Sequence, residues 1–261
     1  MKVDVHTHVF HPKIAAKVCV QLEEHYRVKA IGDGTWDDLR VRMDKAGIDK
    51  AFALSAATSP TQVKPANNWA ISLLENPQLV PFGTMHPDYD DMEGELARLY
   101  DNGIRGLKLH PDFQGFRLDD PKLKPLFGAM EGNFTLLVHV GDILPPKENP
   151  SCPWKVAAIK REFPKLRIIA AHFGGYHHWQ YVIEAMKGLE IYMDTSSSLF
   201  MIPQELLEDI FRSFPRHLFL FGSDYPIWDP QSEIEILQRR LKLKDSELDE
   251  ILQSGTQLGL A

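Results

Sequence analysis

The sequence predicts an α/β fold, a single (β/α)8 TIM barrel spanning residues 1–261, on three observations. Short β-rich runs alternate with amphipathic segments along the whole chain. Several of these runs are almost continuously apolar, as in Leu136-Leu137-Val138 and Ile168-Ile169-Ala170-Ala171, which is how strands buried on both faces read. Polar, chemistry-bearing residues stand at the C-terminal ends of most runs. An open doubly wound sheet, the alternative architecture, would gather them at one switch point.

Taken in order, the predicted strands cover 2–6, 50–54, 79–84, 105–110, 134–139, 167–172, 190–194 and 218–224. The stretch 9–34 is longer than an ordinary βα loop and is expected to hold a helix over 14–27 that covers the barrel mouth. A helix over 36–46 follows from Leu39, Met43 and Ala46 at helical spacing, with Thr35 as N-cap and Gly47 beyond its end. A second helical pattern over 93–102 stops at Gly103. Pro121, Pro153 and Pro203 sit where helices begin, because proline is tolerated in a first turn, and Asp120 and Ser232 are read as further N-caps. The charged stretch 239–250 reads as one solvated helical face. No linker or low-complexity tract divides the chain.

Composition narrows the function classes. At 44% hydrophobic and 25% charged residues, the chain is an ordinary globule able to bury a sizeable core. A net charge of −7 and the absence of a basic stripe argue against nucleic acid as a partner. Two well-separated cysteines, Cys19 and Cys152, are not a disulfide framework and suit a reducing cytoplasm. No signal peptide and no run near the ~20 apolar residues of a membrane span is visible. The expected partner is a small-molecule substrate, and a homo-oligomer is compatible with the sequence.

The chemistry is carried by strand ends. The chain opens Asp4-Val5-His6-Thr7-His8, and strand alternation places His6 and His8, with Asp4, on one face. Later ends read Lys108-Leu109-His110-Pro111, His139-Val140-Gly141, His172-Phe173-Gly174-Gly175 and Gly222-Ser223-Asp224-Tyr225-Pro226. In a barrel these ends surround one mouth. A catalytic divalent metal needs about three protein ligands and an open position, which His6, His8, His139 and Asp224 more than supply, and His172 is available as an acid or base beside them. Charged and imidazole groups at the ends of apolar strands are costly to bury unless paired or metal-bound.

These motifs, in this order, resemble the amidohydrolase superfamily of metal-dependent barrels, and more closely the branch of aminocarboxymuconate semialdehyde decarboxylase and related decarboxylases and lactone or amide hydrolases. The resemblance runs from Asp4 to about Pro226. It implies His6, His8, His139 and Asp224 as metal ligands, zinc as the metal, His172 as the catalytic histidine, and Asp224 exchanging a proton with metal-bound water. The tail reads Gly255-Thr256-Gln257-Leu258 where relatives often carry Gly-Asn-Ala, a difference that bears on packing. The expected activity is hydrolysis of a small carboxylate-bearing ester, lactone or amide. Decarboxylation of an unsaturated or aromatic acid is the alternative within the same site, and a non-catalytic metal-binding barrel is the rival from another class. Lys108 is assigned to a substrate carboxylate. A two-metal version, with Lys108 carboxylated and bridging and His139 and His172 on the second ion, is weighed against the one-metal version and set below it.

Other polar residues carry plainer readings. Asp194 and the run Thr195-Ser196-Ser197-Ser198 are read as capping the following helix, His177 and His178 as a solvated helix start, His86 as either a pocket-lining residue or a loop hydrogen-bonding group, and Tyr225 and Trp228 as packing or pocket walls. His25 is read as a surface residue, and His110 is left open between site and loop.

Overall fold

A computed structural model describes residues 1–260 of the chain. Nine parallel strand segments, β1 (Val3–His8), β2 (Lys50–Leu54), β3 (Leu79–Pro81), β4 (Gly83–Thr84), β5 (Gly106–Leu109), β6 (Thr135–Val138), β7 (Arg167–Ala170), β8 (Tyr192–Asp194) and β9 (Phe219–Leu220), run in chain order around the molecule. β3 and β4 are one predicted strand interrupted at Phe82, whose amide still bonds to Ala53 of β2, so the segments make eight barrel positions. The last strand returns to the first: Val5 N donates to Phe221 O at 2.8 Å, Asp224 N to His6 O at 2.7 Å and His8 N to Tyr225 O at 2.7 Å. The protein is a TIM barrel.

The helices are α1 (Pro12–Tyr26), α2 (Trp36–Ala46), α3 (Val63–Ser72), α4 (Met92–Asp101), α5 (Pro111–Gln114), α6 (Lys124–Met130), α7 (Pro153–Glu162), α8 (Val182–Met186), α9 (Gln204–Ser213), α10 (Pro230–Leu241) and α11 (Asp245–Ser254). α2 has the expected bounds and caps, with Thr35 accepting from Asp38 N and Gly47 at φ 67°. The helix foreseen over 14–27 is α1. The N-cap of α10 is Asp229, which accepts from Ser232 N, so Ser232 lies inside the first turn instead of capping it. The stretch 239–250 is not one helical face: Lys242 at φ 52° ends α10 before α11 begins.

Two apolar layers follow from the alternation. Val3, Val5, Phe52, Leu54, Val80, Phe82, Leu137, Ile169, Tyr192 and Leu220 form one cluster, the strand residues that point into the barrel. The opposite faces join the helices in a larger cluster. Leu258, from the 3₁₀ turn Gly255–Leu258, belongs to the inner cluster and packs at the N-terminal end of the barrel. Gly255 there leaves only 3.0 Å between a hypothetical Cβ and Val3 and Val5, which is how this tail serves packing. Among the described residues no helix is long and apolar enough to cross a membrane.

Candidate active site

The register of β1 shifts between Asp4 and Thr7. This irregularity changes the expected alternation. Val3 and Val5 face the barrel interior, yet His6 and His8 both reach the mouth, whereas Asp4 turns to the backbone, its Oδ1 accepting from His6 N and Ser223 N at 3.1 and 3.0 Å. Asp4 therefore does not share the working face.

Around the mouth, His6 Nε2 and His8 Nε2 lie 3.5 and 3.3 Å from Asp224 Oδ1. One donor atom from each of His6, His172 and Asp224 falls within 4.8 Å of the others. His139 stands one contact further on, its Nδ1 2.9 Å from His172 Nε2. Lys108 Nζ approaches His6 Nε2 at 3.3 Å. His172 and Asp224 hold φ values of 62° and 65°, a left-handed conformation that costs non-glycine residues of order 1–3 kcal/mol and persists where the surroundings over-determine it. Gly222 permits the close approach of β9 to β1, since a Cβ there would stand 2.8 Å from that of His6.

The outward nitrogen of each imidazole fixes its proton. His6 Nδ1 faces Asp194 Oδ2 at 2.9 Å, His8 Nδ1 faces Leu54 O at 3.1 Å, His139 Nε2 faces Gly141 O at 3.0 Å and His172 Nδ1 faces Ser196 O at 3.1 Å. Each of these partners only accepts, so a neutral His139 or His172 carries its N–H on the outward nitrogen and a lone pair on the inward one, whereas His6 and His8 also face an acceptor, Asp224 Oδ1, at Nε2. At His6 the Lys108 ammonium, which can only donate, favours a lone pair on Nε2. His139 Nδ1 and His172 Nε2 then oppose two lone pairs at 2.9 Å, an arrangement that a cation between or beside them relieves. Neutral imidazoles backed by carbonyl or carboxylate acceptors and converging on a carboxylate make a donor set that fits a divalent metal.

Electrostatics keep the set ready for a cation. Burial pushes the Asp224 carboxyl up, but His6, His8 and His172 outweigh it and hold the group well below the usual range. Asp194, wholly buried, is held low in the same way, chiefly by His6. Burial pulls the imidazoles down, His172 to about 4 and His139 well below its ordinary value, so both are neutral bases at pH 7. Burial also lowers Lys108, to about 8, against the pull of Asp224 and Asp194.

Over this set lies a cavity of about 560 Å3, roofed by α1 through Val18, Leu22 and Tyr26 and walled by Phe10, Phe113 and Ile227. Lys108 is the one lysine among its lining residues, and no arginine is among them. The structure thus brings His6, His8, Lys108, His139, His172 and Asp224 to one chamber.

Two sequence readings need correction. Asp194 is not a helix cap: it backs His6, and it also accepts from Ser196 Oγ at 2.5 Å and from the amides of His172 and Ser196 at 3.1 Å. Its place at a strand end was the available signal. His178 is not solvated but buried, with Nε2 against Leu144 O at 2.7 Å, while His177 is exposed. Sequence reasoning gave Tyr26 no role, although it lines the cavity, and His25 is exposed as read, at the cavity's edge. Of the two readings of His86 the structure shows the hydrogen bond, its Nε2 lying 3.1 Å from Gln114 O at the end of α5, and His86 is not among the residues lining the cavity.

The sequence matches the family described as amidohydrolase over residues 3–254, and the chain belongs to that family. No functionally curated protein matches it significantly. Among solved structures, an uncharacterised TIM-barrel protein from Bordetella bronchiseptica is similar at 16% identity and a TM-score of 0.79, over 98% of this chain and 97% of that one. A dihydroxybenzoic acid decarboxylase from Polaromonas sp. JS666, with bound manganese and the inhibitor 2-nitroresorcinol, is similar at 16% identity and 0.66, over 100% and 98%. A candidate 2-pyrone-4,6-dicarboxylic acid hydrolase from Pseudomonas putida is similar at 14% identity and 0.68, over 98% and 96%.

Proposed function

We propose that the protein is a metal-dependent hydrolase of a small carboxylate-bearing ester, lactone or amide. The observation that supports this most is the bare Nε2 of His172, facing the donor set in the cavity with its other nitrogen tied to Ser196 O. In this reading His6, His8, His139 and Asp224 hold one divalent metal, zinc by preference, since an imidazole-rich set with one carboxylate suits it. Such a metal, when bound, acts as a Lewis acid and makes water acidic enough to ionise near neutral pH. The chain's residues do the rest. Lys108 pairs with the substrate carboxylate through a charge-assisted hydrogen bond. His172 Nε2 takes a proton from the attacking water and returns it to the leaving oxygen or nitrogen. Burial, by keeping that ring neutral, keeps it able to accept. The working compartment in this proposal is the cytoplasm, in keeping with two buried free cysteines.

A second reading, decarboxylation of an aromatic acid, draws on the aromatic walls Phe10, Tyr26 and Phe113 and on the fold shared with a dihydroxybenzoic acid decarboxylase. There His172 would first take a proton at Nε2 from a ring hydroxyl of the substrate and then hand it to the ring carbon that loses carbon dioxide. Turnover of a panel of lactones, esters and phenolic acids by the metal-loaded protein in D2O and H2¹⁸O separates the two. Hydrolysis places ¹⁸O in the product acid, and decarboxylation places deuterium on carbon and releases carbon dioxide. The double substitution His6→Ala/His8→Ala tests the metal itself. It is expected to leave a folded barrel without metal by elemental analysis, because mouth residues serve function and not the core. Full occupancy in that variant would remove the basis of the proposal.

A further inference from the structure

The residue that joins the roof to the barrel is Tyr26, in the last turn of α1. Its hydroxyl lies 3.2 Å from His110 Nε2, and its ring meets Phe113 and Tyr176 edge-on, with centroids 5.7 and 6.1 Å away. Among the described residues this is the one side-chain hydrogen bond from α1 to a strand end of the barrel. His110 follows β5, stacks on His139 at 3.9 Å, and caps the short helix α5 by accepting from Phe113 N at Nδ1.

That cap decides the direction of the next bond. His110 Nδ1 accepts, so the ring's proton is on Nε2 and His110 donates to the Tyr26 oxygen. The reverse arrangement would point an N–H at the Phe113 amide. Tyr26 Oη is therefore an acceptor towards His110, and its own O–H is left over. Among the described residues Tyr26 Oη has no other hydrogen-bond partner. Tyr26 lines both the main cavity and a smaller one beside it, and each also contains His139, His172 and Asp224. Burial, then the charge of Asp224, raises the phenol well above its ordinary range, so the donor stays protonated.

We propose that Tyr26 is a substrate-binding residue: its hydroxyl, its oxygen held by His110 Nε2–H, donates to an oxygen of the bound substrate and thereby clamps α1 over the chamber. This rests on the reading of the chamber as a substrate site, and it adds a neutral donor beside the cationic one of Lys108. Because the lining offers no arginine, that second oxygen is met by a neutral donor. The substrate class is an acid with one carboxylate for Lys108 and a second, uncharged hydroxyl or carbonyl oxygen for Tyr26. A second carboxylate would lack a cationic partner there.

The test uses the metal-loaded full chain and 2-nitroresorcinol, a planar probe bearing ring oxygens, by calorimetry. Tyr26→Phe keeps the ring and removes only the donor. It is expected to weaken binding about 5–10-fold, the loss of one neutral hydrogen bond, with metal content unchanged. His110→Asn keeps an acceptor for the Phe113 amide but removes the donor to Tyr26, and it is expected to weaken binding to a similar degree. The double variant is expected to be no worse than Tyr26→Phe, since both act through one hydroxyl. In the wild type the probe should also slow amide hydrogen exchange in α1, and in Tyr26→Phe it should not. Equal affinity for the probe in wild type and Tyr26→Phe would overturn the proposal, as would a wild type that holds metal but does not bind the probe. So would faster exchange of α1 in Tyr26→Phe without probe and unchanged probe affinity, which would make Tyr26 a structural pin. These readouts are of binding, so they stand or fall separately from whether turnover is hydrolysis or decarboxylation.

Discussion

Asp194 gives the sharpest test of how the donor set is held. Its carboxylate, fully buried at the end of β8, accepts from His6 Nδ1 at 2.9 Å, from Ser196 Oγ at 2.5 Å and from the amides of His172 and Ser196 at 3.1 Å each. Asp194→Asn keeps the volume and one acceptor oxygen. It places an amide NH2 where His6 Nδ1 or Ser196 Oγ now finds an oxygen. If the NH2 faces His6, the ring must accept at Nδ1, and its proton moves to Nε2, the atom that faces Lys108 and Asp224. The inward lone pair is then lost. Substitution of such a backing carboxylate typically costs 10–100-fold in metal affinity, or about 1.4–2.7 kcal/mol. The assay is competition for zinc and for manganese against a fluorescent chelator, with far-ultraviolet circular dichroism as the check on folding. A folded Asp194→Asn variant whose affinity for both metals stays within twofold of wild type would refute the idea that the tautomer of His6 is set from behind.

Two further outcomes follow from the same geometry. His172→Asn is expected to keep its metal and lose about 10²–10⁴-fold in turnover, as for a general acid–base group, whereas loss of metal on elemental analysis would make His172 a ligand. Glu233, buried in α10 with Oε2 unpartnered, is raised by burial from 4.5 to about 8, and Asp224 and Asp4 add to the shift. Between those values the folded protein holds a proton that the unfolded chain has released, so stability should fall as pH rises from about 4.5 to about 8. Glu233→Gln should flatten that fall in a series of thermal midpoints, leaving the smaller contribution of Asp4, which burial raises to about 7. Parallel pH curves for the two proteins would contradict this.

What the sequence disclosed, and what it hid, divides along a physical line. Strand ends were legible because a barrel wall is apolar on both faces, so His139, His172 and Asp224 interrupt runs that otherwise carry no charge. Their convergence followed from topology alone: parallel strands closed into a barrel put every C-terminal end on one rim. The helix α2 was legible to the residue because its caps are local, a Thr35 oxygen on Asp38 N and a glycine at positive φ. What stayed hidden depends on contacts made across the chain. Asp194 looked like a cap because a carboxylate before a serine run usually is one, and only the packing of β8 near β1, 188 positions apart in sequence, shows that it holds His6. The irregularity of β1 between Asp4 and Thr7 breaks the period-two rule, so a reading by alternation put Asp4 on the wrong face. Tyr26 was hidden most completely. Nothing in 9–34 marks it among the polar residues of an amphipathic helix, and its free O–H exists only because Phe113 N, far away in sequence, has already chosen the tautomer of His110. Residues that bind a metal thus show themselves by where they interrupt a strand. Residues that decide which proton sits on which nitrogen show themselves only once the hydrogen bonds are traced outward from the site, and those are the positions where substitution should separate metal affinity from substrate affinity.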